Sequence, residues 1–501
     1  MNQKISFMRP IVSVSLALAL VSACHATPAP SSSEAAAPPA PVSTTSPPAT
    51  ATGQSPSTVA APAANAAVSA LAFRDAVSGP PPGWKGPVFK LSRSYPRARP
   101  TCDAPWLKRP VSFTDRKQVW SAAWAGYIQD IVNYVREGQE ADLPDEVGFR
   151  TDVLGQTRWF HVPWMAYDGQ RGREFVHGLT NELSTAESTF KGIGRGTGLH
   201  HLAGAKKVDG QDPLFETWSI GFYNSCGAYG IGQSFPASGE PSTYTDPTTK
   251  QLRASGLPFS EGTVVVKILN TTADEASVPY LKGSTNWQAD GHKQLSPTSY
   301  SQCERAVTRV HLVQMDLAVV DSRSPTRWVY STLSYDGTSP GKTVWDRLKP
   351  IGVQWGSDPG TFPAVEKAKS KPAWETVIAP VKVPQHYGCE KRLAGVVDQA
   401  NSSCVSCHMS AFAAPAGVLQ VQGVNVPNVF FFDGMCTTYS AANVSYFADY
   451  AYPAAVPGTS FDAAIPLDSS LQLQVAFQQY AVYKHPEQPR VCPNPGAAPA
   501  P

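Results

Sequence analysis

Between residues 150 and 360 the chain repeatedly places apolar side chains at every second position. Thr217–Asn224 (TWSIGFYN), Thr263–Asn270 (TVVVKILN), Val307–Val320 and Trp328–Tyr335 are rich in β-branched and aromatic residues. On the longest of them Val313, Met315, Leu317 and Val319 share one face. Gln314 and Asp316 share the other with Leu312 and Ala318. Residues 321–327 (DSRSPTR) separate the last two runs as a hairpin loop. The pattern commits this part of the chain to a β-rich, sandwich-like or mostly antiparallel architecture with a few helices. One helix is expected before it: Trp120, Trp124, Tyr127, Ile128, Ile131 and Val135 recur at three and four residues, with Asp115 as start and Gly138 as stop.

The N-terminus constrains the compartment. Lys4 and Arg9 precede the apolar run IVSVSLALALV (11–21), which is too short to span a bilayer, and then come Ser22, Ala23 and Cys24. Val21-Ser22-Ala23-Cys24 resembles the bacterial lipobox, in which the cysteine becomes the acylated N-terminus. The alternative is a plain secretory signal cleaved near Ala26, with Cys24 lost. The resemblance implies a periplasmic, lipid-anchored protein, and His25 in place of Asp favours the outer membrane. From His25 to Leu71 the chain is almost entirely Ala, Pro, Ser and Thr with no aromatic residue, so it cannot bury a core and reads as a semi-rigid tether.

Charge excludes one class of partner. Lys and Arg number 41 against 39 Asp and Glu; removing Lys4 and Arg9 leaves 39 against 39. A neutral chain lacks the excess cationic side chains that phosphate-backbone binding requires, so no nucleic-acid partner is expected. The loop GIGRGTGLHH (192–201) lacks the Lys-Ser/Thr of a phosphate-binding loop and reads as a flexible connection, with His200 and His201 as reserve metal ligands.

Nine cysteines sort into three groups. Cys24 belongs to the anchor. Cys102, Cys226, Cys303, Cys389, Cys436 and Cys492 are an even six in an exported chain, and up to three disulfides of unassigned pairing are expected. Cys404 and Cys407 belong to NSSCVSCHMS (401–410). Two thiols on one helical turn followed at once by a histidine form the C-x-x-C-H attachment signature of c-type haem, with His408 placed to ligate iron. The competing readings are a redox CxxC pair, which would start a helix straight after a strand, and a zinc site completed by Cys389 and Cys436.

Residues 389–485 therefore resemble a single-haem cytochrome c domain, specifically at Cys404, Cys407 and His408. The order FETWSIGFYN, VPYLKGS, SSCVSCH is similar to that of large bacterial proteins grouped only as cytochrome c family. The resemblance implies one covalent haem c and its iron, a redox partner protein, and transfer of single electrons. With that domain, the chain is expected to be α+β, divided into a signal peptide (1–23), a tether (24–72), a β-rich domain with some helix (73–388), a mainly helical cytochrome c-like domain (389–492) and a tail (493–501). A terminal helix is expected in Asp468–His485, capped by Asp468 or Ser469, with a strand as the alternative.

The distal iron ligand divides the functional readings. Met409 adjoins His408 and cannot reach the opposite face, and Met315 reads as core. Met435 in FFFDGMCTTY is the candidate methionine, with packing beside Cys436 as its plain alternative. His161, His177, His200, His201, His311 and His386 are candidate histidines. An occupied position implies an electron carrier. An open one implies an oxygenase or peroxidase whose β-rich domain shapes the substrate cleft, and an envelope assembly module is a third reading.

Overall fold

The computed structural model describes residues 80–86, 88–89, 91–92, 94–115, 119–139, 148–165, 179–181, 199–357, 375–383, 387–388, 391–398, 403–409, 411–413 and 464–484. These belong to one compact unit. Cys24, His177, His386, Cys389, Met435, Cys436 and Cys492 lie outside the described residues, as does most of the Gly-rich loop before Leu199.

The fold is mostly β-sheet with few helices. Helix α1 (Ala122–Arg136) precedes strands β1 (Trp159–Phe160), β2 (Thr180–Asn181), β3 (Leu199–His200) and β4 (Phe215–Asn224). Helix α2 (Ser225–Ser234) leads to β5 (Val264–Thr271), β6 (Asn286–Ser296), β7 (Ser299–Val320), β8 (Trp328–Tyr335), β9 (Leu348–Gln354) and β10 (Thr376–Ile378). These ten strands make one sheet in the order β10-β9-β8-β7-β5-β4-β1. β6 also pairs with β7, and β2 and β3 pair with β4. The pairings are antiparallel.

Strand alternation sends each strand's side chains into two different cores. Ile220, Phe222, Val264, Val266, Ile268, Met315, Leu317, Val319, Val329 and Leu333 join one cluster with Trp124, Tyr127, Ile128, Ile131 and Val135 of α1. Trp124 stacks on Trp355 at 4.9 Å, and the Tyr127 hydroxyl donates to Asp321 at 3.0 Å. The opposite face carries Tyr223, Val320, Trp328 and Tyr330. They cluster with Val405, Ala411, Leu467, Leu473, Ala476 and Phe477 from the C-terminal stretch. Residues on both sides of the expected 388/389 boundary thus share a core.

The β-rich expectation holds: ten of the described strands form one large sheet covered differently on its two faces, and the others make three two-stranded sheets, 152–153 with 156–157, 243–245 with 252–254, and 412–413 with 465–466. Period-two patterning identifies strands and their faces but not the layer that covers them. Strand β7 begins at Ser299, before the expected Val307, because its first half forms a hairpin with β6 in which polar side chains break the apolar alternation. Helix α1 starts later than Asp115 suggests. Ser121 is its N-cap, accepting from the Trp124 amide at 3.4 Å, while the Asp115 amide is engaged by Ser112.

Cys102 and Cys226 form a disulfide that ties the segment before α1 to α2, and Cys303 is disulfide-bonded as well. Among the described residues no helix is long and apolar enough to cross a membrane.

Candidate functional site

The C-x-x-C-H motif occupies one short helix, α3 (Cys404–His408), docked on the sheet face opposite α1. Ser403 is its N-cap, accepting from the Ser406 amide at 3.3 Å. The side-chain amide of Gln354 on β9 holds the same end: its Oε1 accepts from the Val405 amide at 3.2 Å and its Nε2 donates to Ser403 Oγ at 3.2 Å. Ser406 Oγ lies 2.9 Å from Ser357 Oγ, and Arg392 donates to the Ser357 carbonyl at 2.6 Å. The two residues between the cysteines, Val405 and Ser406, are sealed against the protein. Cys404, Cys407 and His408 all keep accessible surface, and the two cysteines are not bridged.

His408 is oriented from the other side. Its Nδ1 lies 2.8 Å from the Ser469 carbonyl, which can only accept, so Nδ1 carries a proton, and in the neutral ring the lone pair is on Nε2. This is the orientation that metal-ligating histidines commonly adopt. Tyr330 of β8 packs on the imidazole with ring centroids 4.7 Å apart. The Ser469 carbonyl is aimed by two residues in left-handed backbone, Asp468 at φ 46° and Ser469 at φ 63°. The Asp468 carboxylate pins that turn, accepting from Arg327 at 3.0 Å, from the Trp328 indole at 3.3 Å and from the Phe259 amide at 2.7 Å. Burial raises the Asp468 pKa against the opposing pull of Arg327. Helix α4 (Leu471–Lys484) follows, so the terminal segment is a helix and not a strand. Ser470, neither Asp468 nor Ser469, receives the Leu473 amide at 3.1 Å, because Asp468 is committed to the hairpin.

Beside Cys404 the sheet face carries a polar cluster. Thr332 Oγ1 is 4.0 Å from Cys404 Sγ and donates to Asp316 Oδ1 at 2.9 Å. Gln314 Nε2 donates to Asp316 at 2.8 Å and to Asp398 at 3.2 Å. Lys267 is the cross-strand partner of Asp316, and Val265 of Ala318. These last four side chains are half-buried, whereas Val264, Val266, Ile268, Met315, Leu317 and Val319 on the other face are sealed. They lie side by side on the sheet face that carries the motif helix. Burial, and then the nearby Asp398 carboxylate, push the Asp316 carboxyl up to about 8 against the opposing influence of Lys267, Thr332 and Gln314. Burial followed by Asp398 and Asp316 pushes the Cys404 thiol well above its ordinary range. A redox-active CxxC needs the opposite, a lowered thiol pKa, so the site's electrostatics disfavour that reading.

The donor set suits haem c: two unbridged cysteines on one helical turn, followed by an imidazole whose Nδ1 is held by a backbone carbonyl. Among the described residues no three His, Cys, Asp or Glu side chains gather as a metal-ion site, and the cysteines of the zinc reading lie outside them.

The described candidate histidines have these partners. His200 pairs with Phe215 and contacts Thr217, at the end of β4 away from Tyr223, which bonds Ser470; the run from Phe215 to Tyr223 is about 26 Å at about 3.3 Å per residue. His201 contacts the Pro213 carbonyl, and His311 contacts Ser284. Buried His161 places Nδ1 3.0 Å from the Gly221 carbonyl. Met315 is fully buried in the α1-side core.

Asp468, Ser469, Tyr330 and the Asp316–Asp398 pair are what sequence reasoning did not assign to the site. Only the placement of Gln314 and Asp316 together on one face of β7 hinted at them.

No protein-family model matches this sequence, no curated protein matches it, and no solved structure matches it.

Proposed function

We propose that the chain is a lipid-anchored periplasmic c-type cytochrome that transfers single electrons. In this reading the segment 389–492 is the cytochrome c-like, mainly helical part. Haem c, when bound, supplies an iron that takes up and releases one electron. Cys404 and Cys407 would tether it, and His408 Nε2 would ligate the iron. The observation that carries the reading is the hydrogen bond from His408 Nδ1 to the Ser469 carbonyl, beside two unbridged thiols. Ser469 holds the imidazole's direction, Tyr330 restricts its rotation, and Asp468 with Arg327 keeps the Ser469 turn from relaxing. Gln354 fixes the start of the helix that carries the thiols.

The proposed export signal and the Cys102–Cys226 bridge fit an oxidising compartment, which haem attachment of this type also requires. Cys24 is the proposed lipid site, and replacing it with Ser should release the protein from the membrane fraction. The redox partner is an envelope protein. Met435 is the proposed distal ligand.

One observation supports a second reading. The half-buried side chains of Val265, Lys267, Asp316 and Ala318 on the sheet face beside Cys404 would suit an oxygenase or peroxidase with an open iron. Spectra of the ferric protein before and after cyanide distinguish the two. The carrier reading expects low-spin iron that is inert to cyanide and loses that inertness in Met435→Ala. High-spin iron that binds cyanide at once would replace it with the enzyme.

A further inference from the structure

The polar cluster beside α3 contains a feature that electron transfer alone does not need. Two carboxylates, Asp316 on β7 and Asp398 just before the motif, are bridged by one side-chain amide, Gln314 Nε2. Asp398 also accepts the Gly395 amide at 2.7 Å, and Gln314 Oε1 accepts the Val397 amide at 3.3 Å, so the bridge is built into the backbone of 395–398. Gly395 is part of the construction: a Cβ there would meet Gln314 Oε1 at 2.0 Å. Thr332 connects the pair to Cys404.

We propose that the Asp316–Asp398 pair takes up one proton when the iron held at Cys404, Cys407 and His408 is reduced, so that one electron and one proton enter the protein together. This rests on the haem reading above. The balance is simple. A one-electron donor protein is oxidised, ferric iron becomes ferrous, and a solvent or buffer proton forms an O–H bond on a carboxylate of the pair. No other bond changes.

Three observations support it. Both carboxylates accept from the same amide nitrogen, so their charges lie close together, and the Asp398 charge favours a proton on Asp316. Asp316 is half-buried, so a proton can reach it without opening the core. Thr332 links Asp316 to Cys404, so a positive charge lost from iron held by the motif would favour the protonated form. The charged and titratable groups that face Asp316 are Lys267 from β5, Asp398 from the segment before α3, and Cys404 from α3, with Tyr330 on neighbouring β8. Burial and then the Asp398 carboxylate push the Asp316 carboxyl up to about 8, so a proton can leave or join it near neutral pH.

The test is the midpoint potential of the haem-loaded full chain, titrated from about pH 6 to about pH 10 with haem content verified by the pyridine haemochrome. The potential should fall with rising pH, its slope approaching about 59 mV for each tenfold drop in proton activity through a window near pH 8. Asp316→Asn should flatten that window, and Lys267→Met should move it to higher pH. A wild-type potential flat over the range, or an unchanged slope in Asp316→Asn, overturns the proposal. Absence of covalent haem overturns the underlying reading instead, and the proposal with it. Redox-difference infrared spectra of the wild type serve where the variants do not fold. A protonated-carboxyl band that appears on reduction and shifts in heavy water supports the coupling, and its absence rejects it.

Discussion

The Asp468 carboxylate does three jobs with two oxygens. It fixes the Arg327 side chain, the Trp328 indole and the Phe259 amide, and so positions the adjoining Ser469 carbonyl under His408. Its loss leaves Arg327 partly buried and the Phe259 amide unsatisfied. Asp468→Ala should therefore cost about 2 to 4 kcal/mol, read as a lower urea midpoint with unchanged m value. Asp316 makes a pH-dependent contribution. Its folded pKa, about 8, lies above the value of an unfolded aspartate, so the folded state binds the extra proton. Stability from this group is complete below the unfolded pKa and is lost as pH rises toward 8. Asp316→Asn should remove that loss, and the variant's stability relative to wild type should climb between about pH 4 and about pH 8 in denaturant titrations. A constant difference across that range would mean the carboxyl titrates normally.

At the scale of elements, what could be read from residue types and what could not separate cleanly. The strands Thr217–Asn224, Thr263–Asn270 and Trp328–Tyr335 match β4, β5 and β8 within a few residues, because β-branched alternation is a local property. Helix α1 was legible from its apolar stripe, but its cap was not, since Asp115 and Ser121 are both competent and only the structure chooses Ser121. The motif helix was legible as a helical turn. Its partner across the fold, the Ser469 carbonyl, was not, because a backbone acceptor 61 residues away leaves no compositional trace. The Asp316–Gln314–Asp398 bridge was hidden for the same reason: it spans 84 residues between Gln314 and Asp398. The bridge also makes a steric prediction. Gly395→Ala must displace the Gln314 amide, so it should cost about 1 to 3 kcal/mol, read by chemical denaturation, and abolish the pH effect of Asp316→Asn. Retention of that effect would show that the bridge is dispensable.

For the molecule as a whole, one sheet presents an apolar face to α1 and a face of mixed polarity to the C-terminal stretch that carries the motif. Burying polar side chains such as Gln314, Thr332, Ser334 and Gln354 is tolerable because Gln314, Thr332 and Gln354 are hydrogen-bonded to the segments packed against them or to one another's partners. In the function we propose, this arrangement holds one covalent haem at Cys404 and Cys407. The intact mass of the exported protein, taken after denaturation and acidic-butanone extraction, tests it directly. One haem's added mass should survive both treatments, and should vanish when Cys404 and Cys407 are both replaced by Ser. A denatured chain with no added mass, or an added haem that persists in the double Ser variant, would contradict it.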